Sequence, residues 1–177
     1  MLVDYLTSPV GPYREALFIP GPFDYAQTRY YSITKIAVST LSSVVNGRQN
    51  WGIPKELAHF DIQLDSTGAQ RFLMTSNGQT ALDVVTRPYG PRLPFNTRWL
   101  PFRPTLIQQR EDGQLLTTAP YGKGRIRLAK LMHAHVNPDA FPDFSRLRPI
   151  GVLQAPQFEL TFPRPHERVK ADDHATA

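Results

Sequence analysis

"GRQNWGIPKELAHF", from Gly47 to Phe60, places one lysine among apolar and aromatic neighbours. Lys55 follows Trp51, Gly52, Ile53 and Pro54 and precedes Leu57, Ala58 and Phe60, with Glu56 as the charge beside it. Burying an ammonium is costly unless it is paired or neutralised. The stretch therefore poses a choice between a reactive amine in a desolvated pocket and a surface lysine in a salt bridge. An amine attacks a carbonyl in its neutral form, which a desolvated pocket, a nearby cation or a helix N-terminus each favours. Apolar neighbours are present here, and "PKELAHF" reads as a short helix, because Pro54 suits a first helical position and Glu56 suits a helix N-terminus. Glu56 works against a neutral amine, since a carboxylate near an ammonium favours the charged form.

Outward from this stretch, 17 prolines and 11 glycines punctuate short segments. "KIAVSTLSSVV" (Lys35 to Val45), "AHFDIQLDS" (Ala58 to Ser66), "QRFLMTS" and "QTALDVVTR" read as strands with partial alternation. "SNGQ" (Ser76 to Gln79) is an Asn-Gly turn between two of them, and "EDGQ" (Glu111 to Gln114) reads as a second hairpin of the same kind. Further strands are expected at "PTLIQQRE", "QLLTTAP", "GRIRLAKLMHAHV" and "GVLQAPQFELTFP". "NPDAFPDFSRL" (Asn137 to Leu147), interrupted by Pro142, allows at most a turn or two of helix. Many strands joined by such turns point to an antiparallel barrel or sandwich. Residues 1–163 are expected to form a single β-barrel domain, and 164–177, "RPHERVKADDHATA", a polar C-terminal tail.

At 177 residues the chain suits one domain, which buries about two thirds of its unfolded surface. No run approaches the ~20 apolar residues of a membrane span, and the N-terminal segment lacks the pattern of a signal peptide. There are no cysteines, which excludes disulfides, thiolate metal sites and cysteine nucleophiles; a cytoplasmic protein is expected. The net charge of +5 raises nucleic-acid binding. The densest basic stretch, "GKGRIRLAK", alternates Arg125 and Arg127 with Ile126 and Leu128, which is the pattern of an exposed strand face, and no nucleic-acid partner is expected. His133 and His135 share a strand face, yet no third ligand accompanies them at metal-site spacing, so no metal is expected. Neither a phosphate-binding glycine loop nor a G-x-S-x-G elbow is present.

"GRQNWGIPKELAHFD" resembles the signature around the Schiff-base lysine of acetoacetate decarboxylases: a Gly-Arg pair, an aromatic-rich step, then Pro-Lys and Leu. "GPYREALFIPGPF" resembles the family's Tyr-x-Glu segment, and the match to its active-site glutamate falls on Glu15. "YYSITKIAVSTLSSVVNGR" is similar to the strand leading into the Gly-Arg step. Downstream, "LPFRPTLIQQREDGQLL", "GKGRIRLAKL" and "PIGVLQAPQFELTFPRPHERV" resemble later strands of the family.

The resemblance implies a mainly β chain, an acetoacetate decarboxylase-like antiparallel β-barrel with one or two short helices. Its apolar cavity would hold Lys55 as Schiff-base nucleophile, with Glu15 positioning substrate or shuttling a proton and Tyr13, Arg48 and Trp51 lining the substrate. The implied chemistry is that of a lyase on a small-molecule keto acid, running on the lysine amine without a cofactor; desolvation or a neighbouring cation activates such a lysine. A Schiff-base aldolase or dehydratase on a 2-keto acid is its closest variant, and a barrel that binds an apolar ligand without catalysis is the alternative. The family's habit of self-assembly implies a homo-oligomer. Two features differ from the family. Its second lysine, directly after the nucleophile, is Glu56 here, and a further arginine and glutamate from its N-terminal portion have no match in this sequence.

Overall fold

The computed structural model describes residues 1–168, and these residues are mainly strands arranged in three sheets. The first sheet has the order β1 (Leu2–Tyr5), β2 (Tyr13–Phe18), β5 (Lys35–Val38), β6 (Lys55–Leu57). The second runs β14 (His166–Arg168), β11 (Leu115–Thr118), β10 (Leu106–Gln109), β4 (Thr28–Tyr31), β3 (Pro22–Tyr25). The third runs β13 (Val152–Thr161), β12 (Tyr121–Val136), β9 (Gln79–Asn96), β8 (Gln70–Ser76), β7 (His59–Leu64). A single α-helix among the described residues, α1 (Leu41–Trp51), joins β5 to β6, and a 3₁₀ turn spans Thr97–Trp99.

The expected closed barrel is not found: each of the three sheets has two free edges in its strand order. The first sheet is instead covered on both faces by other elements, so it has no need to curl onto its own edge. On one face Ala16 and Ala37 pack with Phe60, Phe72, Met74, Leu82 and Val84 of the third sheet. On the other, Leu17, Ile36 and Val38 pack with Val44 of α1, Ile53 and Leu106 of β10. Nor is the pairing wholly antiparallel, since β5 pairs parallel with β6 and β10 parallel with β4. The first of these follows from the helix between the two strands, because parallel neighbours need a crossover of that length.

"KIAVSTLSSVV" is thus not one strand. It ends as strand at Val38, and the Thr40 hydroxyl accepts from Ser43 N to cap α1. The helix stops at Gly52, whose φ of 63° permits a left-handed C-cap, with Gly52 N–H on Arg48 O and Ile53 N–H on Gly47 O. Pro54 therefore follows a helix end and does not begin a helix. "PKELAHF" contains the strand β6 and the start of β7. Lys55 consequently does not stand at the start of a helix of its own; it lies in a strand.

The strands expected from Ala58 to Thr161 are found, β9 and β12 being longer than expected, whereas β1, β3, β4 and β14 carry no alternation that announced them. The turn at Asn77 and Gly78 has positive φ at both residues (51° and 75°), as a two-residue hairpin requires. "EDGQ" does form a hairpin, but through a three-residue loop closed by Arg110 N–H on Gln114 O, with Gly113 at φ 82°. "NPDAFPDFSRL" forms turns without helix, and Phe141 is buried in the core. Within the segment expected as a tail, His166–Arg168 pair with β11; residues 169–177 lie outside the described residues. No helix among the described residues is long and apolar enough to cross a membrane.

Gly52 tests this account of the helix end. A Cβ there would meet Arg110 N at 3.0 Å and Gln109 C at 3.1 Å, in addition to the left-handed strain. Gly52→Ala should cost more than the ~1–2 kcal/mol of that strain alone, whereas Gly90→Ala, at φ 74° with open space around it, should show the strain only. Urea denaturation giving equal losses for the two would contradict the packing of β10 against the helix end.

Candidate active site

Side chains alternate along a strand, and this decides where Lys55 and Glu56 point. In the first sheet Leu17 pairs with Ile36 and Ile36 with Lys55, while Ala16 pairs with Ala37 and Ala37 with Glu56. Tyr13, Glu15, Leu17, Ile36, Val38 and Lys55 therefore share the face beneath α1, and Glu56 belongs to the opposite one. Lys55 is 7% exposed and Glu15 4%. The Lys55 Nζ donates to Glu15 Oε2 at 3.1 Å and to the buried Ser43 Oγ at 3.0 Å, and sits 4.9 Å from the centroid of the Tyr13 ring. Glu56 is half exposed, and its Oε2 accepts from Lys35 Nζ at 2.7 Å.

The helix is shaped to admit the lysine. Ser43 and Gly47 lie four residues apart on one face of α1 and are both buried. A Cβ on Gly47 would stand 2.5 Å from Lys55 Cδ and 2.8 Å from Cε, so a glycine is required where the lysine stem crosses the helix. At the next residue, Arg48 Nε donates to the Lys55 main-chain oxygen at 2.8 Å, and its Nη1 lies 3.5 Å from Glu111 Oε1. Arg48 thus fixes the backbone of residue 55. Trp51 donates from Nε1 to Pro163 O at 2.9 Å and stands edge-on to Phe162. Of the five residues expected from the sequence, the structure brings Lys55, Glu15 and Tyr13 together at Nζ. Arg48 holds the main chain of Lys55, and Trp51 anchors the helix to the segment after β13.

Ser43 and Gly47 are the site residues that sequence reading missed as such. Their signal was the pair of helix-end residues, Thr40 and Gly52, which puts 43 and 47 on one face. Tyr5 is a third: its ring stacks on Tyr13 with centroids 4.7 Å apart.

Burial pushes the Glu15 carboxyl above its ordinary range, and the charge and hydrogen bond of Lys55 pull it partly back. Burial, with the nearby Glu15 charge, also pushes the Tyr13 phenol up to about 12, against a Ser43 hydrogen bond that lowers it. Tyr5 is raised further, again by burial first. Both phenols are therefore neutral near neutral pH. A proton moved from Lys55 to Glu15 turns two opposite charges into two neutral groups and leaves the net charge of the buried pair unchanged. A carboxyl already biased toward its protonated form is suited to receive it.

Elsewhere, Asp83 is held by Arg71 through two bonds of 2.9 and 2.6 Å, with His133 Nε2 at 3.9 Å. Among the described residues no group of three or more His, Cys, Asp or Glu side chains is arranged to hold a metal ion. A cavity of about 420 Å³ is lined by other residues, none of which contacts Lys55 Nζ.

The structure is similar to the crystal structure of acetoacetate decarboxylase from Legionella pneumophila subsp. pneumophila str. Philadelphia 1. The TM-score is 0.64 at 14% sequence identity, over 90% of this chain and 68% of that one. It is also similar to the enduracididine biosynthesis enzyme MppR complexed with pyruvate (TM-score 0.63, 10% identity, 89% of this chain and 66% of that one). A third likeness is to an acetoacetate decarboxylase-like enzyme from Sphingomonas wittichii RW1 (TM-score 0.61, 13% identity, 90% and 71%). The chain thus has the acetoacetate decarboxylase-like fold, and it spans about two thirds of the length of these proteins. No family model and no curated protein matches it.

Two outcomes follow from the geometry. Gly47→Ala would stabilise an ordinary helix by about 1 kcal/mol, but overpacking against the lysine stem costs about 1–3 kcal/mol. A net loss of stability is expected, and a gain would show that the stem does not cross there. For Glu15, the raised folded-state value means that the folded protein holds the proton above the ordinary carboxylate range, where the unfolded chain has released it. Stability therefore falls as pH rises through that window. Relative to Glu15→Gln, the wild type should lose stability from about pH 4.5 upward in urea titrations; a relative gain would reverse the assigned direction.

Proposed function

We propose that this chain is a Schiff-base-forming lyase of the acetoacetate decarboxylase type, acting on a small keto acid through Lys55. The observation that carries the reading is the Lys55 amine, buried and hydrogen-bonded at 3.1 Å to a carboxyl whose proton affinity burial has raised. The fold supports it, as do the acetoacetate decarboxylase and the pyruvate-bound MppR among the similar structures.

In this reading Glu15 takes a proton from the Lys55 ammonium, and the neutral amine attacks the ketone carbon of the substrate. The Glu15 carboxyl returns the proton to the departing hydroxyl, and water leaves an iminium on Nζ. The bond to the carboxylate breaks, carbon dioxide departs, and its electron pair moves into the iminium to give an enamine. Protonation of the enamine carbon and attack of water on the resulting iminium release the ketone and regenerate the amine. Gly47 and Arg48 act on the nucleophile by placing its stem and its backbone. With a 2-keto acid, the same iminium and enamine serve aldol or dehydration chemistry instead.

A second reading rests on the contacts of Nζ. Glu15, Ser43 and the Tyr13 ring all favour an ammonium, as a structural ion pair beneath a non-catalytic binding cavity would. Borohydride reduction after incubation with acetoacetate or pyruvate separates the two. The lyase reading expects a mass increment that maps to Lys55 and is lost in Lys55→Ala, together with all turnover. If no increment forms with a panel of keto acids while ligand affinity survives Lys55→Ala, the binding reading holds.

A further inference from the structure

The cavity of about 420 Å³ lies between the 3₁₀ turn, the segment leading into β10 and the corner between β11 and β12. Its size falls within the ~300–1,000 Å³ typical of small-molecule sites. Phe102, Pro104 and Pro120 supply apolar, conformationally restricted wall, and Arg98, Arg103 and Tyr121 supply the polar side. The Arg98 guanidinium sits 5.3 Å from the centroid of the Tyr121 ring. Short bonds fix the frame. Gly122 N–H donates to Thr97 Oγ1 at 2.9 Å, tying the 3₁₀ turn to β12, and Thr105 N–H donates to Arg103 O at 2.8 Å, tightening the turn that carries Arg103.

Two arginines are among the residues that line this one cavity, and no acidic residue lines it with them. Among the described residues neither arginine has a carboxylate within ion-pair distance. Like charges facing a shared space are relieved by an anion between them, and a guanidinium fork matches a carboxylate with two parallel bonds. Phe102 is 52% exposed, so an apolar body bound beside it would remove aromatic surface from water. We propose that this cavity is a second small-molecule site, which binds an organic carboxylate with an aromatic or branched apolar body. The carboxylate lies between Arg98 and Arg103, and the body against Phe102 and the prolines. This site shares none of the groups at Lys55 Nζ and does not depend on the chemistry proposed there.

Calorimetric titration with 3-phenylpropanoate tests it, with the neutral 3-phenylpropanamide and the short propanoate as controls. Saturable binding of 3-phenylpropanoate is expected, at least roughly tenfold weaker for each control. Arg98→Met and Arg103→Met should each weaken it at least roughly tenfold, with Arg98→Lys intermediate because the charge stays and the fork is lost. Thermal unfolding verifies that each variant is folded, and the amide control needs no variant. No saturation below about 10 mM, equal affinity for acid and amide, or unchanged affinity in both folded arginine variants would each overturn the proposal.

Discussion

A lysine ammonium and a glutamate carboxylate, both withdrawn from water and 3.1 Å apart, set the terms for the rest of this structure. Taking each charge out of water costs several kcal/mol, and leaving either one without its partner costs about 3–5 kcal/mol. The surface pair of Lys35 and Glu56 is worth at most about 1 kcal/mol and imposes no comparable demand. The fold must therefore keep Glu15 and Lys55 together once it buries them. It does so by placing β2, β5 and β6 side by side in one sheet and roofing them with the helix that links the last two. Ser43 completes the shell of Nζ from that roof, and Gly47 opens the space for the stem.

The same arrangement lets a proton pass within the pair. A buried ion pair can discharge itself internally, because a proton passing from nitrogen to oxygen leaves no net charge behind. The apolar layers on both faces of the sheet hold that exchange away from bulk water, and the neutral phenols of Tyr13 and Tyr5 lie beside it without competing for the proton. Arg48 binds the lysine's own carbonyl oxygen, so the arginine of the Gly-Arg step contributes rigidity to the main chain of Lys55.

Much of the β architecture was legible from residues 58 to 136, where alternation and an Asn-Gly turn give period-two signals. The helix was not. Its Leu41 and Val45 are exposed and its buried positions are Ser43, Val44 and Gly47, so it shows no apolar stripe of helical period. That inversion has a cause: two of the buried positions face a lysine side chain and must be small or polar. Local patterning thus failed at the place where packing serves the site. The direction of Glu56 was concealed by the same error, since neighbours on a helix diverge by about 100° and neighbours on a strand by about 180°. Whether the sheets close into a barrel depends on how long-range layers cover one another, and no local run of residues records it. Lys55, Glu15 and Tyr13 were reachable through a resemblance of motif, whereas Ser43 required the helix.

The adjacent Lys55 and Glu56 also bear on how β6 finds its place. Each meets an opposite charge in the observed register, Lys55 with Glu15 inside and Glu56 with Lys35 outside. A slip of one residue would turn Glu56 inward toward Glu15 and Lys55 outward toward Lys35, replacing two attractive pairs with two repulsive ones, one of them buried. A three-residue strand has too few hydrogen bonds to specify its own alignment, and this crossed set of charges does so for it. The carboxylate that looked misplaced beside the lysine is thus half of a lock on strand register.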